Sequence, residues 1–214
     1  KVLVPVAGRP FIEHQFDLLR ARGLTQVLLC VGHFGGKVQA HVGDGRRFGM
    51  QVAYAQEDPR RLLGTGGALV NALPHLAPSF LVLYGDSYLP VDYTAFARWF
   101  ESAGAEAAMT VFRNEGQWDA SNTRIEGERV VFYSKQARPG DADYIDYGMT
   151  AFRRSVIERY AARPPPLDLA QILSDLVQSH ELGAYVVTQR FYEIGKPDGW
   201  AELDAYLRAR PLKT

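Results

Sequence analysis

Cysteine is almost missing from these 214 residues: Cys30 stands alone, in an apolar run. A disulfide framework and a cysteine metal cluster are both excluded, and a reducing cytoplasm is the natural setting. An excess of either charge is missing too, because 24 Lys and Arg balance 24 Asp and Glu. Nothing therefore favours nucleic acid or an acidic membrane surface as a partner, and any phosphate must be met by local groups. No apolar stretch has the length of a membrane span, and no signal peptide, internal repeat or low-complexity tract is visible. The five histidines (His14, His33, His41, His75, His180) lack metal-ligand spacing, and only His33 falls near the expected crevice. The length suits one sizeable α/β core, with two small domains as the upper limit.

What is present centres on Phe80 to Asp92. Phe80-Leu81-Val82-Leu83-Tyr84 is a continuous apolar run, the pattern of a strand buried on both faces, and it stops at Gly85-Asp86. Glycine allows a close backbone approach, and the aspartate sets a hard oxygen donor beyond the strand's carboxyl end, where open α/β sheets bind ligands. An Asx-turn would use the same residue equally well. Before it, Pro10 opens a helix that Gly23 ends. Val27 to Val31 reads as a strand, Lys37 to Val42 as a short helix and Gln51 to Ala55 as a strand leading into Gln56-Glu57. After it come a helix over Thr94 to Ala103, a strand over Ala107 to Phe112 and a hairpin turning at Glu126-Gly127-Glu128. A returning strand over Tyr144 to Phe152 follows, then a helix capped by Asp168, two further strands and a closing helix from Pro197. Pro164-Pro165-Pro166 reads as a surface connection. The alternation predicts a doubly wound, mostly parallel, Rossmann-like sheet carrying a small β-hairpin insertion.

Three further segments can carry chemistry. Leu63-Gly64-Thr65-Gly66-Gly67-Ala68 is a bare turn feeding a helix, so a base or phosphate could lie on its backbone and use unpaired amides. The alternative is a tight turn packed beneath the sheet, for which three glycines look unnecessary. Glu193, in Tyr192-Glu193-Ile194-Gly195-Lys196-Pro197, is a second carboxylate at a strand end. It could complete a two-carboxylate Mg²⁺ site with Asp86, or simply pair with Lys196 at the surface. Lys1 and Lys135 are candidate phosphate partners, and Asn122, Asp146 and Gly148 suit sugar hydroxyls, although each also fits an ordinary surface or strand-end role.

Taken together and in order, Lys1 to Ile12, Leu63 to Ala68, Gly85-Asp86 and Tyr192 to Pro197 resemble the sugar-1-phosphate nucleotidyltransferases over essentially the whole chain. The resemblance is strongest to the branch of D-glycero-D-manno-heptose 1-phosphate and mannose-1-phosphate guanylyltransferases, with N-acetylmuramate 1-phosphate uridylyltransferases close by. It implies a nucleotide-diphospho-sugar transferase fold and a nucleotidyl transfer from a nucleoside triphosphate, GTP first, to a sugar 1-phosphate. By position it puts Mg²⁺ on Asp86 and Glu193, the latter standing where the family usually has aspartate. Lys1 and Lys135 would act on phosphates, with Gln56, Glu57, Gly64, Thr65, Gly66, Gly67 and Gly85 at the nucleotide and Asn122, Asp146 and Gly148 at the sugar. The family's glycine-rich phosphate loop lies ahead of the signature lysine, so a native chain with about twenty more upstream residues is expected, enough for a first strand and that loop. A non-catalytic sugar-nucleotide-binding subunit is the alternative. A glycosyltransferase ranks lower, since Asp86-Ser87-Tyr88 lacks the second acid such enzymes usually carry. The oligomeric state stays open, a homo-oligomer included.

Overall fold

The computed structural model describes residues 1–116 and 118–209. The chain opens with a two-residue hairpin, β1 (Pro5–Val6) against β2 (Arg9–Pro10), that delivers it into helix α1 (Phe11–Arg20). β3 (Gln26–Val31), helix α2 (Gly35–Val42) and β4 (Gln51–Gln56) follow, with β3 and β4 paired in parallel from Gln26↔Gln51 to Val31↔Gln56. Next come helix α3 (Gly64–Ala72), β5 (Ser79–Leu83), the short β6 (Ser87–Tyr88), helix α4 (Tyr93–Ala103) and β7 (Ala107–Arg113). The expected hairpin is β8 (Thr123–Glu126) and β9 (Arg129–Tyr133), turning at Gly127 with φ +57°. β10 (Tyr144–Arg153), helices α5 (Arg154–Glu158) and α6 (Leu169–Gln178), β11 (Leu182–Val187), β12 (Tyr192–Glu193) and helix α7 (Pro197–Arg208) complete the chain. No helix among the described residues is long and apolar enough to cross a membrane.

The sheet departs from the mostly parallel expectation. Its six strands run in the order β5-β10-β7-β11-β9-β8; only β7 and β11 pair in parallel, while β10 lies antiparallel between β5 and β7. Apolar content says that a strand is buried, but not which way it runs. β10 is buried along nearly its whole length, so neither neighbour's ladder is an edge in water. Helices cover both faces. Met109, Val111 and Phe152 face α6 residues Ile172, Leu173 and Leu176, whereas Ala108, Met149 and Ala151 face Phe96 and Phe100 of α4. Period-two alternation along β7 thus feeds two separate cores.

The β3–β4 pair stands as its own sheet. Among the described residues β3 has no ladder partner except β4, and β5 none except β10. Their free edges line one cavity of about 1730 Å³, to which α1 adds Ile12, Phe16 and Leu19 and the amino-terminal segment adds Val2. The result is an apolar slot with unpaired strand edges on both sides.

β10 is the strand on which the sheet depends, so its packing is testable. Phe152 is fully buried and its ring lies 6.1 Å from that of Phe80 on β5. Phe152→Ala should cost about 3–5 kcal/mol and lower the melting temperature by about 10 °C in a thermal-denaturation scan; a shift within about 2 °C would show that β10 is not a keystone.

Candidate active site

Asp86 lies three residues past the end of β5, and Glu193 is the second residue of β12. These positions meet because β6 and β12 pair antiparallel: Glu193 sits opposite Ser87, and the Ile194 amide donates to the Asp86 carbonyl at 2.9 Å. Lys1 joins them, its Nζ 3.2 Å from Asp86 Oδ2. Gly195 lies beside them, a Cβ there coming within 3.7 Å of Asp86 Oδ2 and 4.0 Å of Lys1 Nζ. The alternative partner for Glu193 is otherwise engaged, since Lys196 pairs with Asp119 at 3.3 Å. Burial and then the like charges of Asp86 and Asp119 raise the Glu193 pKa, Lys196 opposing. Because Glu193 as a residue is exposed, solvent weakens the burial contribution and the neighbouring acid is the sturdier cause. Two converging hard carboxylates are the donor set with which Mg²⁺ is commonly held alongside substrate phosphates and water.

The second cluster surrounds Asp146. β10 carries a register irregularity against β7 between Asp146 and Thr150, and Gly148 within it takes φ +97°. That bulge turns the Asp146 carboxylate back onto its own strand, where Oδ1 accepts the Gly148 amide at 2.9 Å. Tyr133, at the end of β9, donates its hydroxyl to Oδ2 at 3.4 Å. Burial pushes the Asp146 pKa up to about 6, against the Gly148 and Tyr133 hydrogen bonds and the charge of Lys135. Asn122 Oδ1 accepts from the Asp146 amide and from Thr123 Oγ1, so that oxygen braces the bulge, and among the described residues the side-chain amide nitrogen of Asn122 has no partner.

Two site residues escaped the sequence reading. Tyr84 ends the central apolar run, where it looked like one more core residue. Its pKa is raised by burial and then by four carboxylates, Asp146, Asp168, Asp86 and Glu193, so it is within electrostatic reach of both clusters. Asp168 was legible only as a helix cap. It does cap α6, accepting the Ala170 amide, but its two oxygens also hold Lys135 Nζ at 2.9 and 2.8 Å, and Oδ1 accepts from Thr65 at 3.1 Å. Burial pulls its pKa up, and the Lys135, Ala170 and Thr65 hydrogen bonds outweigh it and leave the carboxyl below the ordinary range. The Lys135–Asp168 pair is half exposed, so it is worth about 0.2–1 kcal/mol and matters chiefly for where it holds the ammonium.

The glycine-rich segment is used differently from expectation. Gly66 and Gly67 donate their amides to the Leu167 carbonyl at 2.8 and 3.0 Å, and Leu167 donates its own to Leu63. Two of the amides expected to be unpaired are thus satisfied within the chain. The glycines are required by close approach: at Gly64, φ +78°, a Cβ would lie 2.5 Å from the Leu167 oxygen, and at Gly66 it would lie 3.0 Å from the Leu167 side chain. What the segment offers a ligand is its position and the Thr65 side chain. Gln56 ends β4. Glu57 accepts the Leu63 amide at 3.3 Å and lies beside Gly32, at the carboxyl ends of the paired β3 and β4. Gly85 packs on Val2, where a Cβ would come within 3.3 Å.

Asp146 gives a pH test. Its raised pKa means that the folded state binds more protons than the unfolded chain between about pH 4 and 6. The stabilisation is therefore full below about pH 4 and is lost as pH rises through about 6. Asp146→Asn should remove that slope, gaining about 1–2 kcal/mol on wild type between pH 4 and 7 in urea unfolding, discounted for partial solvent access. Parallel stability curves would overturn the assignment.

Comparison with known proteins shows the family. The chain is 27% identical to the UTP–glucose-1-phosphate uridylyltransferase of Synechocystis sp., over all of its own length and 59% of that protein. It is 28% identical to the mannose-1-phosphate guanylyltransferase of Mycobacterium tuberculosis, over 74% of its length and 44% of that protein. It thus spans about half the length of these curated relatives. Among solved structures, HddC from Yersinia pseudotuberculosis superposes with a TM-score of 0.80 at 20% identity, covering 96% of this chain and 88% of that one, a likeness of fold. The family model described as nucleotidyl transferase matches residues 1–209, and this chain belongs to that family.

Proposed function

We propose that the complete protein transfers a nucleotidyl group from a nucleoside triphosphate, guanosine triphosphate first among them, to a sugar 1-phosphate, releasing pyrophosphate. The observation that carries this reading is that one cluster of Asp86, Glu193 and Lys1 and a second of Asp146, Lys135 and Asp168 both lie within electrostatic reach of Tyr84. A sugar 1-phosphate is already an anionic nucleophile at neutral pH, so no strong general base is needed. Its oxygen bonds to the α-phosphorus, and the bond to the β-phosphate oxygen breaks with its electron pair on pyrophosphate. The obstacle is bringing two anions into line, and alignment can supply about 7–11 kcal/mol.

In this reading Lys135, steered by Asp168, meets the sugar phosphate, and Lys1 meets the triphosphate. Asp146, Gly148 and the Asn122 amide nitrogen receive the sugar hydroxyls. Gln56, Glu57, Gly64, Thr65, Gly66, Gly67 and Gly85 line the nucleotide side. The like-charged Asp86 and Glu193 suit a divalent cation, magnesium, which would neutralise charge on the reacting phosphates. The relatives' names cover uridylyl and guanylyl transfer, and guanine is preferred from the resemblance of the motifs. The apolar slot between β3 and β5 supports a further part of the reading, that one extended strand followed by a phosphate-binding loop completes the sheet ahead of Lys1.

The test is pyrophosphate release with Mg²⁺ by a chain carrying such a segment. Guanosine, uridine and thymidine triphosphates would each be tried with heptose, mannose and N-acetylmuramate 1-phosphates. Turnover with one pair is expected, and Asp86→Ala should lower kcat by about 10²–10³-fold with the melting temperature nearly unchanged. Unchanged turnover in Asp86→Ala would sink the mechanism. Nucleotide-dependent thermal stabilisation without turnover on any pair would favour the non-catalytic sugar-nucleotide-binding alternative instead.

A further inference from the structure

Phe34 is 63% exposed, and its backbone is left-handed, φ +61° and ψ 13°, a conformation that glycine adopts far more readily. Two glycines follow it directly, so a flexible residue is within one step of a position occupied by a strained aromatic one. Strain of this kind persists where something else requires the side chain. The ring contributes little to any core: its neighbours are the His33 ring at 3.9 Å between centroids and Lys37 Nζ at 5.0 Å. Leu62 is the other oddity, 69% exposed.

The two residues come after the carboxyl ends of the paired strands β3 and β4. Val31↔Gln56 pairing brings the carboxyl ends of β3 and β4 level, and a Cβ on Gly32 would lie 3.8 Å from Glu57. Phe34 follows the first strand end. Leu62 follows the second, next to Leu63, whose amide Glu57 holds. Both line the large cavity, together with Glu57 and Thr65. Two exposed apolar side chains, one aromatic, lining the same cavity as polar strand-end groups suit a flat heterocycle with hydrogen-bonding edges.

We infer that Phe34 and Leu62 are the apolar clamp for the nucleobase, Phe34 stacking on its face. This rests on the nucleotide reading above and goes beyond it by naming side chains that bind the base whatever its identity. The clamp acts on base affinity and leaves the phosphate end untouched.

The test is equilibrium binding by the complete protein, carrying the upstream segment proposed above, wild type and variants, of guanosine, uridine and thymidine triphosphates alongside inorganic tripolyphosphate, which has no base. Phe34→Ala should weaken the wild type's preferred nucleotide about ten-fold while tripolyphosphate binding stays within two-fold, and Phe34→Trp should keep near-wild-type affinity. Leu62→Ala should show a smaller loss with the same selectivity. Phe34→Gly separates function from folding: relief of the left-handed strain should hold or raise its melting temperature while nucleotide affinity falls as in Phe34→Ala. Nucleotide affinity unchanged in Phe34→Ala, or equal weakening of nucleotide and tripolyphosphate, would overturn the clamp and leave the nucleotide reading standing. A wild type that binds no nucleotide more tightly than tripolyphosphate would overturn both.

Discussion

The pairing of β6 with β12 is two residues long on each side, yet the candidate site depends on it. It sets a residue near position 190 against the turn that follows β5, and so brings two carboxylates of like charge together. Like charges held close raise the free energy of the site, and a cation or a proton relieves it. Other features support that arrangement from outside. Gly199 approaches the Glu193 carbonyl so closely that a Cβ would lie 2.2 Å from it, which seats α7 against β12. Asp204 on α7 accepts the Ala7 amide at 2.6 Å, which ties the same helix to the amino-terminal hairpin and hence to the segment carrying Lys1.

A second device joins the opposite wall. Leu167 accepts two amides from the start of α3, and one residue later Asp168 reaches both Thr65 and Lys135. The start of α3, the end of β9 and the start of α6 are thereby coupled through consecutive residues of one connection. Substrate groups meeting Thr65 and Lys135 would meet side chains already restrained by a common carboxylate, so less ordering remains to be done on binding. The exposure of that ion pair makes it weak as a stabiliser, which is compatible with a lysine that must remain available to an incoming phosphate.

The predicted strands and helices correspond closely to the observed ones, because apolar runs ended by glycine and caps such as Asp168 are local signals. Strand direction was not legible. β10 has the same apolar content whether parallel or antiparallel, and its insertion between β5 and β7 is settled by side chains more than thirty residues away. The glycine-rich segment shows the converse difficulty. Its composition announced a close approach, but whether the approaching group is a ligand or Leu167 is a tertiary fact.

By itself, then, the chain's order of residues determined the element pattern, the family motifs and the carboxylates, since each depends on neighbours a few positions apart. Tertiary structure alone decided that Asp86 meets Glu193 and that Lys196 turns to Asp119. It also decided that Asp168 serves Lys135 as well as its own helix, and that Tyr84 feels the carboxylates of both acidic clusters. The physical reason is range. Periodicity and capping act within a turn or two of helix or strand, whereas charge pairing and backbone approach act through space between residues that the sequence keeps far apart.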